Sequence, residues 1–585
     1  MARYEIKDGV GIISPTEIEN YAFKGCTGLT SIVIPDSVTK IGDYAFWDCT
    51  GLTSIVIPDS VTEIGEYAFR DCTGLTNIVI PDSVTKIGYD AFSGCTGLTS
   101  IVIPDSVTEI GSAFIGCTGL TSIVIPDSVT EIGEYAFRDC TGLTNIVIPN
   151  SVSKIGMFAF IGCTGLTSIV IPDSVTEIRR GAFSGCTGLS SIVASDGNSV
   201  YDSRSKCNAI IETATNRLVF GSMDTVIPDS VTKIGGNAFA GCTGLTSIVI
   251  PDSVTEIGES AFASCTGLTS IVIPDSVTEI WHSAFEGCTG LTSIVIPNLV
   301  TKTGNDVFKG CTGLTSIVIP DSVTMIGRDA YSADNTGVGK NAFEGCTGLT
   351  SIVIPDSVTE IGGFKDCTGL TSIVIPDSVT DIGYEAFLGC TGLTSIVIPD
   401  SVTKIGYDAF GGCTGLTSIV IPDSVTEIRR CAFSGCTGLT SIIISHSVTM
   451  IADFAFKGCT GLTSVVIPDS VTKIGDSAFE DCTGLISIVI PDSVTKIGDS
   501  AFKGCGSLKS VSVLGAVRKL DSSFVCCVAL ETVTFGVGII KIGDAFSDCK
   551  GLKVINVPAK KAEYYKNRLP EELHSLVVEL PSIKK

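Results

Sequence analysis

Apolar and polar residues alternate in short runs along the whole chain, and the pattern returns about every 23 residues. In the unit that begins at Leu29, the residues Leu29, Ile32 and Ile34 follow a Leu-x-x-Ile-x-Ile pattern. β-Branched residues at alternate positions are typical of a strand with one buried face. Pro35 and the Asp-Ser pair after it predict a turn, because proline cannot extend a strand ladder.

The second half of the unit predicts a shorter strand and a tight turn. Val38 and Ile41 form a brief apolar stretch that ends at Gly42. The segment from Tyr44 to Cys49 predicts a short helical or 3₁₀ turn before the next strand. One unit buries only about eight side chains, too few for a core, so consecutive units must stack.

The repeat extends over almost the entire sequence. A Phe-x-x-Cys pair occurs 22 times, from Phe23 to Cys549, and the 13 residues from Thr27 to Thr39 recur verbatim twelve times. We therefore predict a solenoid of about 22 stacked coils of roughly 23 residues. Its strands form a continuous parallel β-sheet, with short strands or 3₁₀ turns on the other face and a small C-terminal cap.

The repeat resembles a known family. The pattern Leu-x-x-Ile-x-Ile-Pro-x-Ser-Val-Thr-x-Ile-Gly-x-x-Ala-Phe-x-x-Cys is similar to the BspA-like, or treponemal-type, leucine-rich repeat over residues 12–557. The resemblance implies a curved solenoid on microbial cell surfaces that adheres to host proteins or other microbes. The repeat departs from the commonest leucine-rich pattern at Ser37, where Asn or Cys is usual.

Interruptions of the period divide the chain. We predict an N-terminal partial repeat or cap (1–22), a first repeat block (23–193), an island insertion (194–226), a second block (227–557) and a C-terminal cap (558–585). The island predicts a β-hairpin, with strands at 208–212 and 217–220. The second block contains an irregular insertion at 332–342. Ala562, Tyr565 and Leu569 are at helical spacing in the cap.

The charge of the chain restricts its partners. With 38 basic and 62 acidic residues, the formal net charge is −24, which argues against nucleic acid, whose phosphates need Lys and Arg. No apolar run is long enough for a membrane helix, so membrane insertion is not expected. The first nine residues lack the apolar region of a signal peptide. The resemblance implies a cell-surface or secreted protein, and a cytoplasmic location stays open.

Two columns of residues could suggest chemistry. Asp follows the strand-ending Pro sixteen times, beginning with Asp36; a turn-capping role is expected, with a Ca²⁺ ladder as the alternative. The 22 repeat cysteines would stack about 4.8 Å apart, farther than the Cβ separation of a disulfide, and no zinc knuckle occurs. We expect buried, reduced thiols. Cys207, Cys431 and Cys526 lie outside the column and are the more reactive candidates.

The three histidines lie in unrelated coils, and no catalytic arrangement can be assembled, so the sequence predicts neither an enzyme nor a cofactor. We expect a non-catalytic, adhesin-like scaffold that binds a protein or polysaccharide through surfaces distributed along the repeats. An intracellular partner-binding or regulatory scaffold is the alternative, and the oligomeric state is open. Candidate contact residues are those that break the repeat pattern: Trp47, Arg179, Arg180, Tyr201, Asp202, Arg204, Trp281, His282, Arg429 and Arg430.

Overall fold

The computed structural model describes residues 4–7, 10–13, 16–300, 302–328, 337–536, 538–539 and 541–581. The chain divides into two compact units, Met1–Leu291 (unit 1) and Thr292–Lys585 (unit 2). Each unit consists of stacked coils, and each coil contributes a first strand from the Ser-Ile-Val segment and a second, shorter strand. The predicted leucine-rich-repeat solenoid is confirmed in both units.

Unit 1 begins with an antiparallel pair of strands, Tyr4–Lys7 and Val10–Ile13. Its first strands are Ser31–Val33, Ser54–Val56, Asn77–Val79, Ser100–Val102, Ser122–Val124, Ser168–Ile171, Ser191–Ala194, Ser247–Val249 and Ser270–Val272. Its second strands are Glu17–Ile18, Lys40–Ile41, Glu63–Ile64, Lys86–Ile87, Glu109–Ile110, Glu131–Ile132, Lys154–Ile155, Glu177–Ile178, Lys233–Ile234, Glu256–Ile257 and Glu279–Ile280.

Unit 2 has the same two kinds of strand. The first strands are Ser293–Val295, Ser316–Val318, Ser372–Val374, Ser395–Val397, Ser418–Val420, Ser441–Ile443, Ser487–Ile490, Ser510–Val513, Thr532–Phe535 and Val554–Val557. The second are Lys302–Thr303, Met325–Arg328, Gly337–Gly339, Glu360–Ile361, Asp381–Ile382, Lys404–Ile405, Glu427–Ile428, Met450–Ile451, Lys473–Ile474 and Lys496–Ile497. Much of the irregular insertion predicted at 332–342 lies outside the described residues.

The strands pair in parallel, and equivalent residues of successive coils are opposite each other. Ser31 pairs with Ser54 and Ile32 with Ile55 in the first ladder, while Ile41 pairs with Ile64 in the second. Because the register equals one repeat, identical side chains form columns that run from coil to coil.

The core consists of these columns. The Leu, Ile, Phe and Cys positions of the repeat, together with the valine after the turn (Val38 and its equivalents), are buried in nearly every coil of the two units. Phe23, Phe46 and Phe69 stack face to face, with ring centroids 5.2 and 5.1 Å apart. Such contacts add about 0.5–1.5 kcal/mol per pair beyond the burial of apolar surface. A coil is therefore stabilised by its neighbours on both sides.

The segment that carries the Phe and Cys residues forms single turns of the 3₁₀ kind and not a continuous 3₁₀ helix. Tyr44 and Asp48 have positive φ angles of 58° and 62°, whereas a 3₁₀ helix requires negative φ at successive residues. The amides of Tyr44 and Phe46 instead donate to carbonyls of the following coil, at 2.8 and 2.7 Å. These bonds to the next coil alternate with i→i−3 bonds of the 3₁₀ kind, from Trp47 to Tyr44 at 3.2 Å and from Cys49 to Phe46 at 3.1 Å.

A close approach between coils explains the Thr-Gly pair of the repeat. A Cβ atom at Gly51 would collide with the carbonyl oxygen of Thr27 in the preceding coil and lie 3.1 Å from that of Leu29. The same conflict recurs at the equivalent glycines. Glycine is therefore required for stacking here.

The segments at 194–226 and 558–585 depart from the repeat. In the island, Tyr201–Asp202 pairs antiparallel with Ala209–Glu212, which forms a hairpin with Arg217–Gly221, and a short 3₁₀ turn covers Arg204–Lys206. Arg217–Gly221 then pairs in parallel with Lys233–Ile234. At the C-terminal end, a short helix (Ala562–Lys566) and a 3₁₀ segment (Glu571–Leu576) lead to the strand Val577–Glu579.

Candidate interaction surface

The outer face of the first strands presents one exposed valine per coil. Side chains alternate across a strand, so the central Ile is buried while the following Val faces solvent; Val33 is 71% and Val56 73% exposed. We call this column the valine rail: Val33, Val56, Val79, Val102, Val124, Val147, Val170, Val193, Val226, Val249 and Val272 in unit 1, and Val295, Val318, Val353, Val374, Val397, Val420, Val466 and Val489 in unit 2.

An acidic column runs beside the valine rail in each unit. Three residues after most of these valines, an aspartate such as Asp36 or Asp59 is exposed at the turn. The following serine holds this turn in place, since Ser60 donates its hydroxyl hydrogen bond to the carbonyl of Val38 in the preceding coil, at 2.6 Å. The first-strand face therefore combines apolar and acidic columns at the same spacing.

Two shallow grooves in unit 1 lie on this face. One, of about 660 Å³, is lined by residues that include Val124, Asp127 and Val147. The other, of about 800 Å³, includes Val226, Val249 and Asp252. The same column positions line both grooves, so the surface repeats its shape as well as its chemistry.

The cysteine column is buried and takes part in the inter-coil hydrogen bonding. The thiol of Cys49 donates to the carbonyl oxygen of Phe23, at 3.0 Å, and that of Cys72 donates to Phe46, at 3.1 Å. Burial raises the pKa of Cys49 to about 12. All cysteines are free thiols. Cys207 is buried too, whereas Cys431 and Cys526 are partly exposed.

Trp47 lies in a cluster of aromatic and basic side chains. Its indole Nε1 donates to a carboxylate oxygen of Asp71 at 3.2 Å, and Lys24 Nζ lies 3.9 Å from the ring centroid. Tyr44 stacks on Tyr21 with centroids 4.7 Å apart. Most of the Trp47 surface is thus engaged within the chain.

Trp281 and His282 are placed differently. The Trp281 amide donates to Ile257 in the preceding coil, at 2.9 Å, and its side chain remains 37% exposed. The backbone carbonyl of His282 accepts from Ser260. Trp281 therefore stays available as a contact residue.

Arg179 and Arg180 are held by carboxylates. Arg179 pairs with Glu177 at 2.7 Å. Arg180 pairs with Glu259, also at 2.7 Å, and contacts the side-chain oxygen of Asn237. Since Glu259 follows the island in the chain, Arg180 links the coils on either side of the insertion.

Arg429 and Arg430 lie over aromatic rings. The guanidinium carbon of Arg429 is 5.5 Å from the Tyr407 ring centroid, and that of Arg430 is 5.3 Å from the Phe454 centroid. Neither forms an ion pair with a carboxylate of the described part of the chain. Arg430 also interacts with the charge of Asp408 and with the side chain of Cys431.

The island residues proposed as contacts are mostly internal. Tyr201 is 3% exposed, and its hydroxyl oxygen accepts the amide of Ile178 at 2.9 Å, so it cannot contact a partner in this conformation. Asp202 and Arg204 form an ion pair at 2.7 Å, and Arg204 also donates to Asn216 at 2.8 Å. A groove of about 820 Å³ next to them leaves Arg204 partly accessible.

Side chains of the island terminate the first ladder. Asn208 accepts the Ile192 amide at 2.7 Å, and the Ser203 hydroxyl accepts the Ala194 amide at 2.9 Å. These amides would otherwise form the unpaired edge of a sheet. Sequence reasoning missed this role; the signal is that a stacked ladder must be closed wherever its period stops.

Comparison with family models identifies the repeat. The model for the BspA type leucine-rich repeat region matches six times, over residues 13–118, 111–215, 222–336, 332–440, 362–486 and 449–568. The chain belongs to the BspA-type leucine-rich repeat family. A search of curated proteins finds no match.

Several solved structures are similar to this BspA-type protein. A leucine-rich cell surface protein from Faecalibacterium prausnitzii is 33% identical, with 60% of this chain and 85% of that chain covered and a TM-score of 0.44. A leucine-rich repeat protein from Bacteroides ovatus is 27% identical, with 79% and 86% covered and a TM-score of 0.32. The pneumococcal vaccine antigen PcpA is 18% identical, with 69% and 93% covered and a TM-score of 0.42.

The described residues of the BspA-type chain show neither clustered metal ligands nor a membrane-spanning helix. They contain no group of three or more His, Cys, Asp or Glu side chains placed to hold a metal ion. The helices in the same residues are too short and too polar to span a bilayer.

Proposed function

We propose that the protein is a non-catalytic, adhesin-like scaffold that binds macromolecules of host or microbial surfaces through contacts distributed along its coils. The observation that carries the proposal is the valine rail with its acidic neighbour. Exposed apolar columns of this kind are typical of surfaces that bind partners. The family is one of leucine-rich repeats, whose coils supply extended binding surfaces.

Repetition determines how such a surface binds. Val33, Val56 and Val79 present nearly the same surroundings, so a weak contact made by one coil is available at the next. Contacts of a few tenths of a kcal/mol add to a few kcal/mol over about ten coils. Affinity then depends on the number of coils in contact.

Removal of single coils tests this proposal. Deletion of residues 243–265 or of residues 460–482 removes one coil and leaves a Cys–Thr junction like those of the intact repeat. Binding of the purified, fluorescently labelled protein to intact epithelial cells and to intact bacteria is measured by flow cytometry. The proposal expects saturable binding to at least one cell type and a similar, small loss for each deletion.

A second set of variants tests the surface directly. Two triple variants, V33K/V56K/V79K and V374K/V397K/V420K, should each weaken binding. Threonine at the same positions preserves the side-chain volume and should weaken binding less. Loss of all binding from one deletion alone would contradict a distributed surface. Absence of binding to either cell type would contradict the adhesin-like function.

A further inference from the structure

Unit 2 contains an exposed group of arginine and tyrosine side chains that the repeat does not require. Tyr384 and Tyr407 are 57% and 49% exposed, and they precede the coil of Arg429 and Arg430. We call these four residues the arginine–tyrosine patch. Tyrosine and arginine are the residues most enriched at the energetic centres of protein interfaces.

Aromatic rings of the neighbouring coils position the two guanidinium groups. Arg429 lies over Tyr407 in the preceding coil, and Arg430 lies over Phe454 in the following one. The preceding and following coils are two strand spacings apart, roughly 10 Å in a parallel sheet. Because stacking restricts both side chains before any partner binds, less conformational entropy is lost on binding.

Two carboxylates in the neighbouring coils are engaged by lysines. Glu385 pairs with Lys365 at 3.1 Å, and Glu480 pairs with Lys457 at 3.0 Å. Asp408 is partly buried, and this burial raises its pKa. The charge of Arg430 acts on Asp408 in the opposite direction, but neither arginine forms a direct ion pair with a carboxylate of the described residues, although the protein is strongly acidic.

We propose that the arginine–tyrosine patch binds an extended acidic segment of a partner protein. This deepens the proposed scaffold function and rests on it. A guanidinium group binds a carboxylate through two parallel hydrogen bonds. An extended peptide rises about 3.3 Å per residue, so acidic residues three positions apart are about 10 Å apart. This equals the spacing of the two coils whose rings the guanidinium groups cover. The tyrosine rings then contact the side chains between them.

The chain supplies a matched control for this site. Arg179 and Arg180 have the same local sequence as Arg429 and Arg430, Glu-Ile-Arg-Arg, but they are paired with Glu177 and Glu259. Substitution of either pair by glutamine removes the same two charges. Only the unpaired arginines should contribute to the binding of an added carboxylate.

The test uses the full-length protein and a fluorescein-labelled peptide, Glu-Thr-Thr-Glu-Thr-Thr-Glu, titrated to millimolar concentration by fluorescence anisotropy. R429Q/R430Q should bind at least about 10-fold more weakly than the wild type, and R179Q/R180Q within about twofold of it. R429K/R430K keeps the charge without the planar fork and should be intermediate. Circular dichroism confirms folding, and a Lys-Thr-Thr-Lys-Thr-Thr-Lys peptide should not bind.

Three results would overturn the assignment. They are no saturable binding of the acidic peptide, equal losses in R429Q/R430Q and R179Q/R180Q, or binding of polygalacturonate but not of the peptide, which would indicate a polysaccharide site. The scaffold function is judged separately by binding to cells. Cell binding that persists without peptide binding removes the assigned site and leaves the scaffold in place.

Discussion

Two regions of the molecule have almost the same sequence and different surfaces. Residues 164–189 and 414–439 differ only at Gly181 and Cys431. In the first region the adjacent arginines are paired with carboxylates, and in the second they lie over aromatic rings. Side chains of a solenoid contact the coils before and after their own, so the neighbouring coils determine what identical residues do.

The neighbouring coils also explain the single sequence difference between the two regions. Gly181 and Cys431 both have positive φ angles, 67° and 55°. A Cβ atom at Gly181 would collide with the ring of Phe158 in the preceding coil. The equivalent residue before Cys431 is Asp408, which leaves room for the thiol.

The largest expected effect concerns the phenylalanine column, which both regions share. Phe183 stacks on Phe160 and, tilted by 39°, on Phe220 of the island, whereas Phe433 stacks on Phe410 and Phe456. F183A or F433A should lower the local free energy of unfolding by about 3–5 kcal/mol. Hydrogen exchange of the flanking coils measures this. A much smaller loss for F183A would show that the island relaxes into the cavity.

The next largest change in stability is expected when the residue that distinguishes the two regions is exchanged. G181C should cost about 1–3 kcal/mol through overpacking against Phe158. Adding F158D reproduces the surroundings of Cys431 and should recover most of the lost stability. Urea denaturation followed by circular dichroism compares the two variants. Failure of the second substitution to restore stability would mean that the collision is not the cause.

A smaller effect separates the arginine pairs. R180Q removes the exposed ion pair with Glu259 and should lower stability by about 0.2–1 kcal/mol. R430Q removes no ion pair within the described residues and should leave the denaturation midpoint nearly unchanged. A clear loss of stability in R430Q would show that this arginine has a structural role.

The smallest effect is a rate of thiol modification. Cys431 is partly exposed, while Cys186 and Cys436 of the column are buried. Burial, followed by the charge of Asp408, raises the pKa of Cys431, so iodoacetamide should label it slowly at pH 8 and faster as the pH rises. D408N should accelerate labelling, and Cys186 should remain unlabelled until denaturation. Mass spectrometry identifies the sites, and rapid labelling of Cys186 would contradict the packed column.

The sequence predicts the ladder well because one repeat contains all of its rules. The residues at the positions of Ile32 and Phe46 are buried in the described coils. The island strands begin and end within one residue of the predicted bounds. The thiol hydrogen bond from Cys49 to Phe23 was not foreseen, because a buried cysteine needs no partner to fit the pattern.

The candidate surface was harder to predict. Tyr201 stands in a polar island and resembles a contact residue, yet its hydroxyl closes a ladder edge. Arg180 and Arg430 lie in coils whose sequences differ only at the next residue, Gly181 or Cys431. Their contacts are made with Glu259 and Phe454, which lie 79 and 24 residues further along the chain. Aligning each repeat beneath the previous one would reveal these neighbours.

The parallel ladder also has a mechanical consequence. Its hydrogen bonds run from coil to coil, so a pull on one end of the chain loads the bonds of the terminal coil before those behind it. Release of one coil frees 23 residues, which extend to about 75–80 Å. Under tension such a chain should lengthen in regular steps, one coil at a time. Each step dissipates mechanical energy while the coils that are still stacked keep their hydrogen bonds.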